Sequence, residues 1–174
     1  MIRAFAALLV GGLSLCGLAG CTDDNLPAGA PSFYHSLAQA DAVLDANAAA
    51  SMISGYRGNN GLGAVTVDPE LMRLASERAH AMAASGTIEH DANRPFQNRM
   101  RNSGFDAAVA VENISAGYRS LAEAFSGWRD SPPHRANMLK SGVTKMGIAA
   151  VYAPKSKYKV FWTLILAGPD ERKG

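Results

Sequence analysis

The residues best suited to chemistry lie in one short segment, GWRDSPPHRANML (residues 127–139). His134 is a titratable imidazole, and Arg135 beside it can form a two-pronged hydrogen bond to a carboxylate. Pro132 and Pro133 directly precede them and cannot donate a backbone N–H, so the preceding helix is expected to end there. The segment predicts either a rigid corner that presents both side chains to a site, or a turn in which they bond nearby carbonyls.

Two further positions place polar groups beside ordered elements. His90 stands in a short polar loop before a helix that carries Phe96 and Met100 four residues apart. Glu112 and Asn113 lie in the stretch VAVENI, whose alternation is typical of a strand. Because a buried carboxylate needs a partner, Glu112 is expected to bond a cation or several donors.

Helical patterns dominate the first half of the chain. The Ala-rich run 37–56 predicts one helix, and a second begins after Asp68, a suitable N-cap, and ends at Gly86. His80 falls on the polar side of the second helix, and His35 lies in a Pro/Gly-rich segment before the first. Both histidines are therefore expected to be solvated and to lie outside any site.

The second half combines an amphipathic helix with strands. Ser120 and Glu123 form a capping box, and Trp128 should be buried on the apolar face of the helix that follows. Residues 146–152 and 158–166 alternate on either side of the turn APKSKY and predict a hairpin. With the strand at VAVENI, these patterns indicate an α+β fold with helices packed on an antiparallel sheet.

The N-terminus has the features of a secretion signal. Arg3 is followed by an apolar run over residues 4–15, which is too short to span a bilayer. Leu18-Ala19-Gly20-Cys21 then resembles the lipobox of bacterial lipoproteins, in which the signal peptide is cleaved before an acylated cysteine. The resemblance implies a signal peptide over 1–20 and lipid attachment at Cys21, with two or more acyl chains giving stable anchoring.

This processing defines the expected organisation and location. A lipidated tether would occupy 21–40 and a single folded domain 41–170. The protein would be extracytoplasmic and anchored to a bacterial membrane. In a cell with two membranes, Thr22 after the cysteine favours the outer membrane or periplasm.

Composition excludes several classes of protein. Cys16 leaves with the signal peptide and Cys21 carries the lipid, so no thiol remains for a disulfide framework or a thiolate zinc site. Loss of Arg3 lowers the formal net charge from +2 to +1, and the basic residues are scattered. Nucleic-acid binding is therefore not expected.

The motifs together resemble bacterial members of the CAP superfamily, which includes cysteine-rich secretory proteins, antigen 5 and plant pathogenesis-related 1 proteins. The resemblance extends over residues 42–168. It rests on the His of IEHD, the triplet ENI, the pattern W-x-x-S-P-x-H-R-x-N-M-L, the Gly of KMGIA and the Phe-Trp-Thr of the last strand: His90, Glu112-Asn113-Ile114, residues 128–139, Gly147 and Phe161-Trp162-Thr163.

The resemblance implies a three-layer α-β-α sandwich with an antiparallel central sheet and a cleft. That cleft would hold the cluster His90, Glu112, His134 and Arg135, with His134 contributed by the HR form found in bacterial members. Eukaryotic members usually add a second carboxylate and a His in a strand motif, where this chain has Phe161-Trp162-Thr163-Leu164. The full eukaryotic set is therefore not reproduced.

Three interpretations of this cluster follow. His90 and His134, with Glu112, could hold a divalent metal such as zinc and leave a fourth position open. With or without metal, Glu112 as general base and His134 as acid would suit an envelope hydrolase. Alternatively, Glu112 pairs with Arg135 or His134 in a purely structural polar seam.

The leading interpretation is a binding protein rather than an enzyme, although the sequence leaves enzyme status open. The resemblance suggests a lipid or another small amphiphile, or a cell-envelope ligand, as the partner in a His/Glu-lined cleft. Ala- and Met-rich helices would supply its apolar walls.

Overall fold

The computed structural model of the protein describes residue 27 and residues 29–88 and 95–170. The expected signal peptide 1–20, Cys21 and His90 lie outside the described residues. The described part contains a 3-10 helix, five α-helices and four strands. In chain order they are the 3-10 helix Ser32–Tyr34, α1 Ala46–Gly58, β1 Thr66–Val67, α2 Pro69–Ser85, α3 Phe96–Arg101, β2 Ala107–Ala116, α4 Leu121–Asp130, α5 Pro132–Met138, β3 Lys145–Ala153 and β4 Lys159–Pro169.

The four strands form one sheet in the order β1-β3-β4-β2. β4 pairs antiparallel with both β3 and β2, and the predicted β3–β4 hairpin is confirmed. The edge strand β1 pairs parallel with β3, so the sheet is mixed and the expectation of a purely antiparallel sheet is wrong at this edge. β1 and β3 are separated by helices, and this long connection permits the parallel pairing.

Helices cover both faces of the sheet. On one face α1, α4 and α5 pack over a core that includes Trp128, Trp162 and Leu164. On the other face α2 and α3 pack over residues such as Leu74 and Ile165. β4 lies between these layers and is buried from residue 160 to residue 168. The α+β fold and the three-layer α-β-α sandwich are therefore confirmed.

The two tryptophans organise the first face. Trp128 is 0% exposed, as predicted, and its ring meets that of Trp162 edge-on at 6.1 Å between centroids. The indole N–H of Trp128 donates to Ser115 Oγ at 3.0 Å, and that of Trp162 donates to the Tyr118 carbonyl at 2.9 Å. Both rings are thus buried with their polar atoms bonded.

Helix boundaries largely follow the local sequence. Asp68 caps α2 by accepting from the N–H groups of Glu70 and Leu71, and Gly86 ends the helix at a φ of 71°. Pro132 and Pro133 end α4, as predicted. They also begin α5 at once, because proline suits the first turn of a helix. The expected proline corner is therefore a junction between two helices.

The N-terminal segment is docked on the domain sooner than expected. Leu37 is buried, and its N–H donates to the Arg119 carbonyl at 2.6 Å. Phe33 packs against the same core, so the predicted end of the tether at residue 40 is too late. The helix predicted from residue 37 begins only at Ala46, where the side chain of Asp45 caps it.

Arg57 joins α1 to the connection between α5 and β3. Its guanidinium is almost fully buried and donates to the carbonyls of Gly63, Met138, Lys140 and Val143 at 2.8 to 3.2 Å. Burial lowers the pKa of this group from its usual value. Four hydrogen bonds compensate for the lost solvation and fix the C-terminal end of α5.

Candidate functional site

Strand β2 presents its polar residues to opposite faces of the sheet. Side chains alternate along a strand, and Ala110 and Ile114 pack with the clusters formed by α2 and α3. Glu112 lies between them in the alternation and points to this face. Asn113 points to the other face, toward α5.

The carboxylate of Glu112 is bonded to Arg99 of α3. Nη2 of Arg99 lies 2.5 Å from Oε1 of Glu112, and the two side chains are only 11% and 4% exposed. The guanidinium also lies over the ring of Phe96, 5.4 Å from its centroid. The carboxylate therefore has the partner that its burial requires, and the partner is a residue that the sequence analysis did not identify.

Arg99 retains unused hydrogen-bonding capacity. Its Nε and Nη1 atoms are buried and find no acceptor among the described residues. Buried donors without partners are unfavourable, so an acceptor at this position would be bound strongly. The signal in the sequence was weak, since Arg99 is one of several arginines in RPFQNRMRN.

Asn113 and Asn137 connect the ENI and HRAN motifs through their amide groups. Nδ2 of Asn113 donates to the His134 carbonyl at 3.0 Å. Nδ2 of Asn137 donates to Asn113 Oδ1 at 2.9 Å and to the Glu112 carbonyl at 3.1 Å. These contacts dock α5 against β2, which explains why both motifs contain asparagine.

His134 lies in the first turn of α5 and is half-buried. Burial lowers the pKa of its imidazole, which favours the neutral ring. Among the residues that the structure describes, the ring makes no hydrogen bond or ion pair, and Arg135 beside it is exposed.

Neither His134 nor Arg135 is the partner of Glu112, and that part of the polar-seam interpretation is wrong. The alternation of β2 directs the carboxylate toward α3, whereas α5 is bound through Asn113 and the Glu112 backbone. A polar seam does exist, but its ionic half is Arg99 with Glu112 and its amide half is Asn113 with Asn137.

Of the expected zinc ligands, Glu112 and His134 lie in the described part of the chain. No group of three His, Cys, Asp or Glu residues there could hold a metal ion. Glu112 is bonded to Arg99, and His134 belongs to a helix docked through the opposite side of β2. Because His90 lies outside the described residues, its convergence with Glu112 stays a prediction.

A groove opens between α3 and the start of β2, on the face that carries the Arg99–Glu112 pair. Its volume is about 410 Å³, which falls in the range of small-molecule sites. Its lining combines an apolar floor with charged positions: Met100, Arg101, Gly104, Phe105, Asp106 and Ala107. No sequence motif marks this groove, and the sequence analysis did not predict it.

The lengths and apolar character of the described helices can be compared with those of membrane-spanning helices. In residue 27 and residues 29–88 and 95–170, no helix has both the length and the apolar character needed to cross a bilayer.

The family is established by sequence comparison. The model of the CAP, or cysteine-rich secretory protein, family matches residues 50–166, and the chain belongs to this family. The uncharacterized protein YkwD of Bacillus subtilis (strain 168) is 28% identical over 98 residues, which are 55% of this chain and 38% of that protein. The chain thus spans well under half the length of this relative.

Solved structures support the same fold. An extracellular SCP-domain protein from Bacillus anthracis superposes with a TM-score of 0.60 at 21% identity, over 70% of this chain and 39% of that one. An outer surface protein from Borrelia burgdorferi superposes with a TM-score of 0.62 at 18% identity, over 73% of this chain and 97% of that one. The neighbours are thus extracellular or surface proteins with the CAP fold.

Proposed function

We propose that the protein is an extracytoplasmic CAP-family lipoprotein, held at a membrane by acylated Cys21, that binds a small amphiphile in the groove between α3 and β2. The observation that carries this proposal is the groove itself, with an apolar floor and charged positions, on the same face as a buried ion pair. The similarity to an extracellular protein and to an outer surface protein supports an extracytoplasmic location.

The groove offers separate places for the two ends of an amphiphile. Met100 is buried and Phe105 is half-buried, so together they give an apolar floor suited to an alkyl chain. Arg101 and Asp106 are both exposed at the same groove, and of these Arg101 can bond an anionic head group. Gly104 has a φ of 88° and nothing within 4 Å of the position of a Cβ atom, so no side chain narrows the groove at this point.

Binding is favoured over hydrolysis by the state of Glu112. A general base must reach a water molecule and accept its proton. Here a short charge-assisted bond to Arg99 engages the carboxylate, and both side chains are largely buried. This engagement of Oε1 by Arg99 is the reason for proposing binding ahead of a metal-dependent hydrolase that would use His90, Glu112 and His134.

Filling the groove tests the proposed ligand site. Ala107 lines the groove, whereas its neighbour Ala108 is exposed and does not. We expect Ala107→Trp to weaken binding of lauroyl-lysophosphatidylglycerol by about tenfold or more, because the indole would occupy the groove. Ala108→Trp should change the Kd by less than about twofold, because this exposed residue does not line the groove.

Isothermal titration below the critical micelle concentration gives the Kd values for both variants. Equal binding by the two tryptophan variants would contradict the proposal. Quenching of the native tryptophans is not a suitable signal, because Trp128 and Trp162 are both 0% exposed and belong to the core beneath α1, α4 and α5.

The anchor is tested separately. Cys21→Ser should abolish incorporation of labelled palmitate and leave the precursor uncleaved, because the lipobox cysteine is the acylated residue. Cys16→Ser is the matched control and should be labelled like the wild type. Palmitate still entering the Cys21→Ser protein would refute anchoring at Cys21.

A further inference from the structure

The tip of the β3–β4 hairpin is strongly basic. Lys155, Lys157 and Lys159 lie within five residues of one another and all three are exposed. Nζ of Lys159 donates to the Pro154 carbonyl at 2.7 Å, and Nζ of Lys157 lies 4.9 Å from the ring centroid of Tyr158. The sequence contains no Asp or Glu from residue 145 to residue 169, so nothing within the hairpin neutralises these lysines.

This tip adjoins the place where the N-terminal segment joins the domain. β2 ends beside the start of β4, where the N–H of Gly117 donates to the Val160 carbonyl at 3.0 Å. Two residues later, the Arg119 carbonyl accepts from the N–H of Leu37 at 2.6 Å. Arg119 is exposed and adds a fourth cation. The chain that leads back to Cys21 therefore enters the fold at the same end of the sheet as the lysines.

We propose that Lys155, Lys157, Lys159 and Arg119, here called the basic tip, bind the anionic lipid head groups of the membrane on which the protein is anchored. The inference rests on the proposed anchoring at Cys21, which supplies the membrane. Each lysine near an anionic membrane surface raises the affinity of the protein for that membrane several-fold. Binding through the basic tip would orient the domain with this end toward the lipid.

Distance and neighbouring charge are consistent with this orientation. Fifteen residues lie between Cys21 and Leu37, and the sixteen steps of chain that join them span at most about 55 Å. Tyr34, 51% exposed just before Leu37, is an aromatic residue suited to the membrane interface. Two carboxylates are bonded near this end: that of Glu123 accepts from the backbone N–H of Arg119, and that of Asp45 accepts from Ser32 Oγ at 2.9 Å.

The test uses the mature chain, residues 21–174, carrying Cys21→Ser. All described helices and strands lie between Ser32 and Pro169, so this chain retains the whole fold. It should cosediment with vesicles of phosphatidylcholine containing about one quarter phosphatidylglycerol, and not with phosphatidylcholine alone. Raising the salt from about 0.1 M to about 1 M should release it, because the screening length falls from about 10 Å to about 3 Å.

A matched pair of variants separates the basic tip from overall charge. Lys155→Gln with Lys157→Gln should weaken binding to the anionic vesicles by about twenty-five-fold, or about fivefold for each lysine. Lys140→Gln with Lys145→Gln makes the same charge change near the opposite end of β3 and should change binding by less than about twofold.

Equal losses in the two pairs, or equal binding to neutral vesicles, would overturn the proposal. Thermal unfolding of both variants checks the fold, and the salt dependence of the parent chain does not depend on either variant. Because every arm lacks the acylated cysteine, these results are independent of palmitate labelling, which tests the anchor alone.

Discussion

At the scale of single residues, the buried carboxylate of Glu112 is bonded to Arg99 of α3. The sequence indicated that this group needs a partner, because it lies among apolar residues of a strand. It did not indicate Arg99, since the choice depends on which face of β2 the carboxylate occupies and on what packs there. A shift of one residue along the strand would have turned the carboxylate toward α5 and His134.

Removing the partner of Glu112 should destabilise the protein strongly. Arg99→Met leaves a buried carboxylate without its cation, so we expect the free energy of unfolding to fall by about 3–5 kcal/mol. Adding Glu112→Leu should recover most of this loss, because two apolar residues can replace a buried pair. Urea denaturation provides the measurement.

Arg101→Met is the control for this prediction. Arg101 lies on the same helix but is exposed, and its loss should change the free energy of unfolding by less than about 0.5 kcal/mol. A similar effect from Arg99→Met and Arg101→Met would show that the Arg99–Glu112 pair contributes nothing to stability.

His134 should make stability depend on pH. Burial lowers the pKa of its imidazole below the usual 6.5, so the unfolded chain takes up this proton at a higher pH than the native protein does. The free energy of unfolding should therefore decrease as pH falls below about 6.5, and the His134 contribution is fully present only above that value.

The comparison with His134→Gln isolates this contribution. Between about pH 7.5 and about pH 5, the wild type should lose more stability than the variant, as measured by urea denaturation at each pH. Parallel pH profiles, or an imidazole signal of His134 that titrates above 6.5 in NMR, would contradict the expected direction.

At the scale of elements, caps and hydrophobic periodicity in the sequence predicted the helices and strands whose ends depend on nearby residues. The capped start and glycine end of α2, the strand at VAVENI and the β3–β4 hairpin were all predicted and are present. The parallel pairing of β1 with β3 was not predicted, since two residues of strand leave no pattern to read. The start of α5 at Pro132 was missed because proline both ends and begins helices.

Gly147 shows how a motif residue can be required by packing. A Cβ on this glycine would lie 2.0 Å from the backbone carbon of Leu71, because α2 packs directly against β3. We expect Gly147→Ala to lower the free energy of unfolding by about 1–3 kcal/mol or more, since backbone must move to accommodate the methyl group.

Gly55→Ala is the matched control. Gly55 lies in α1 with nothing within 4 Å of a built Cβ, so alanine there should stabilise the helix by about 0.5–1 kcal/mol. The two substitutions should therefore shift the Tm in opposite directions. A Tm for Gly147→Ala at or above that of the wild type would refute the close approach of α2.

At the scale of the whole molecule, the two faces of the sheet have different roles. The α1, α4 and α5 face is closed by the two tryptophans and by the buried Arg57, and it holds the fold together. The α2 and α3 face carries the ion pair and the groove. The proposed ligand site therefore lies on the α2 and α3 face.

The sequence predicted the fold far better than the site. Periodicity and helix caps can be recognised in short stretches of sequence, and together with the family motifs they were sufficient to predict the three-layer fold. The ion pair depends on the contact of Arg99 with Glu112, and the groove depends on how α3 lies beside the start of β2; no spacing in the sequence reveals either. Glu112 bonds Arg99 on one face of β2, whereas α5, which carries His134, docks on the other face through Asn113. The convergence of His90 with Glu112 stays a prediction.

Chemical-shift mapping tests the central claim of ligand binding most directly. Lauroyl-lysophosphatidylglycerol would be titrated below its critical micelle concentration into isotope-labelled mature chain carrying Cys21→Ser. Because the groove lies between α3 and β2, the largest amide shifts should fall at Met100, Gly104, Phe105 and Ala107. The largest shifts falling instead at residues of α4 and α5, or no saturable shifts at all, would contradict amphiphile binding in this groove.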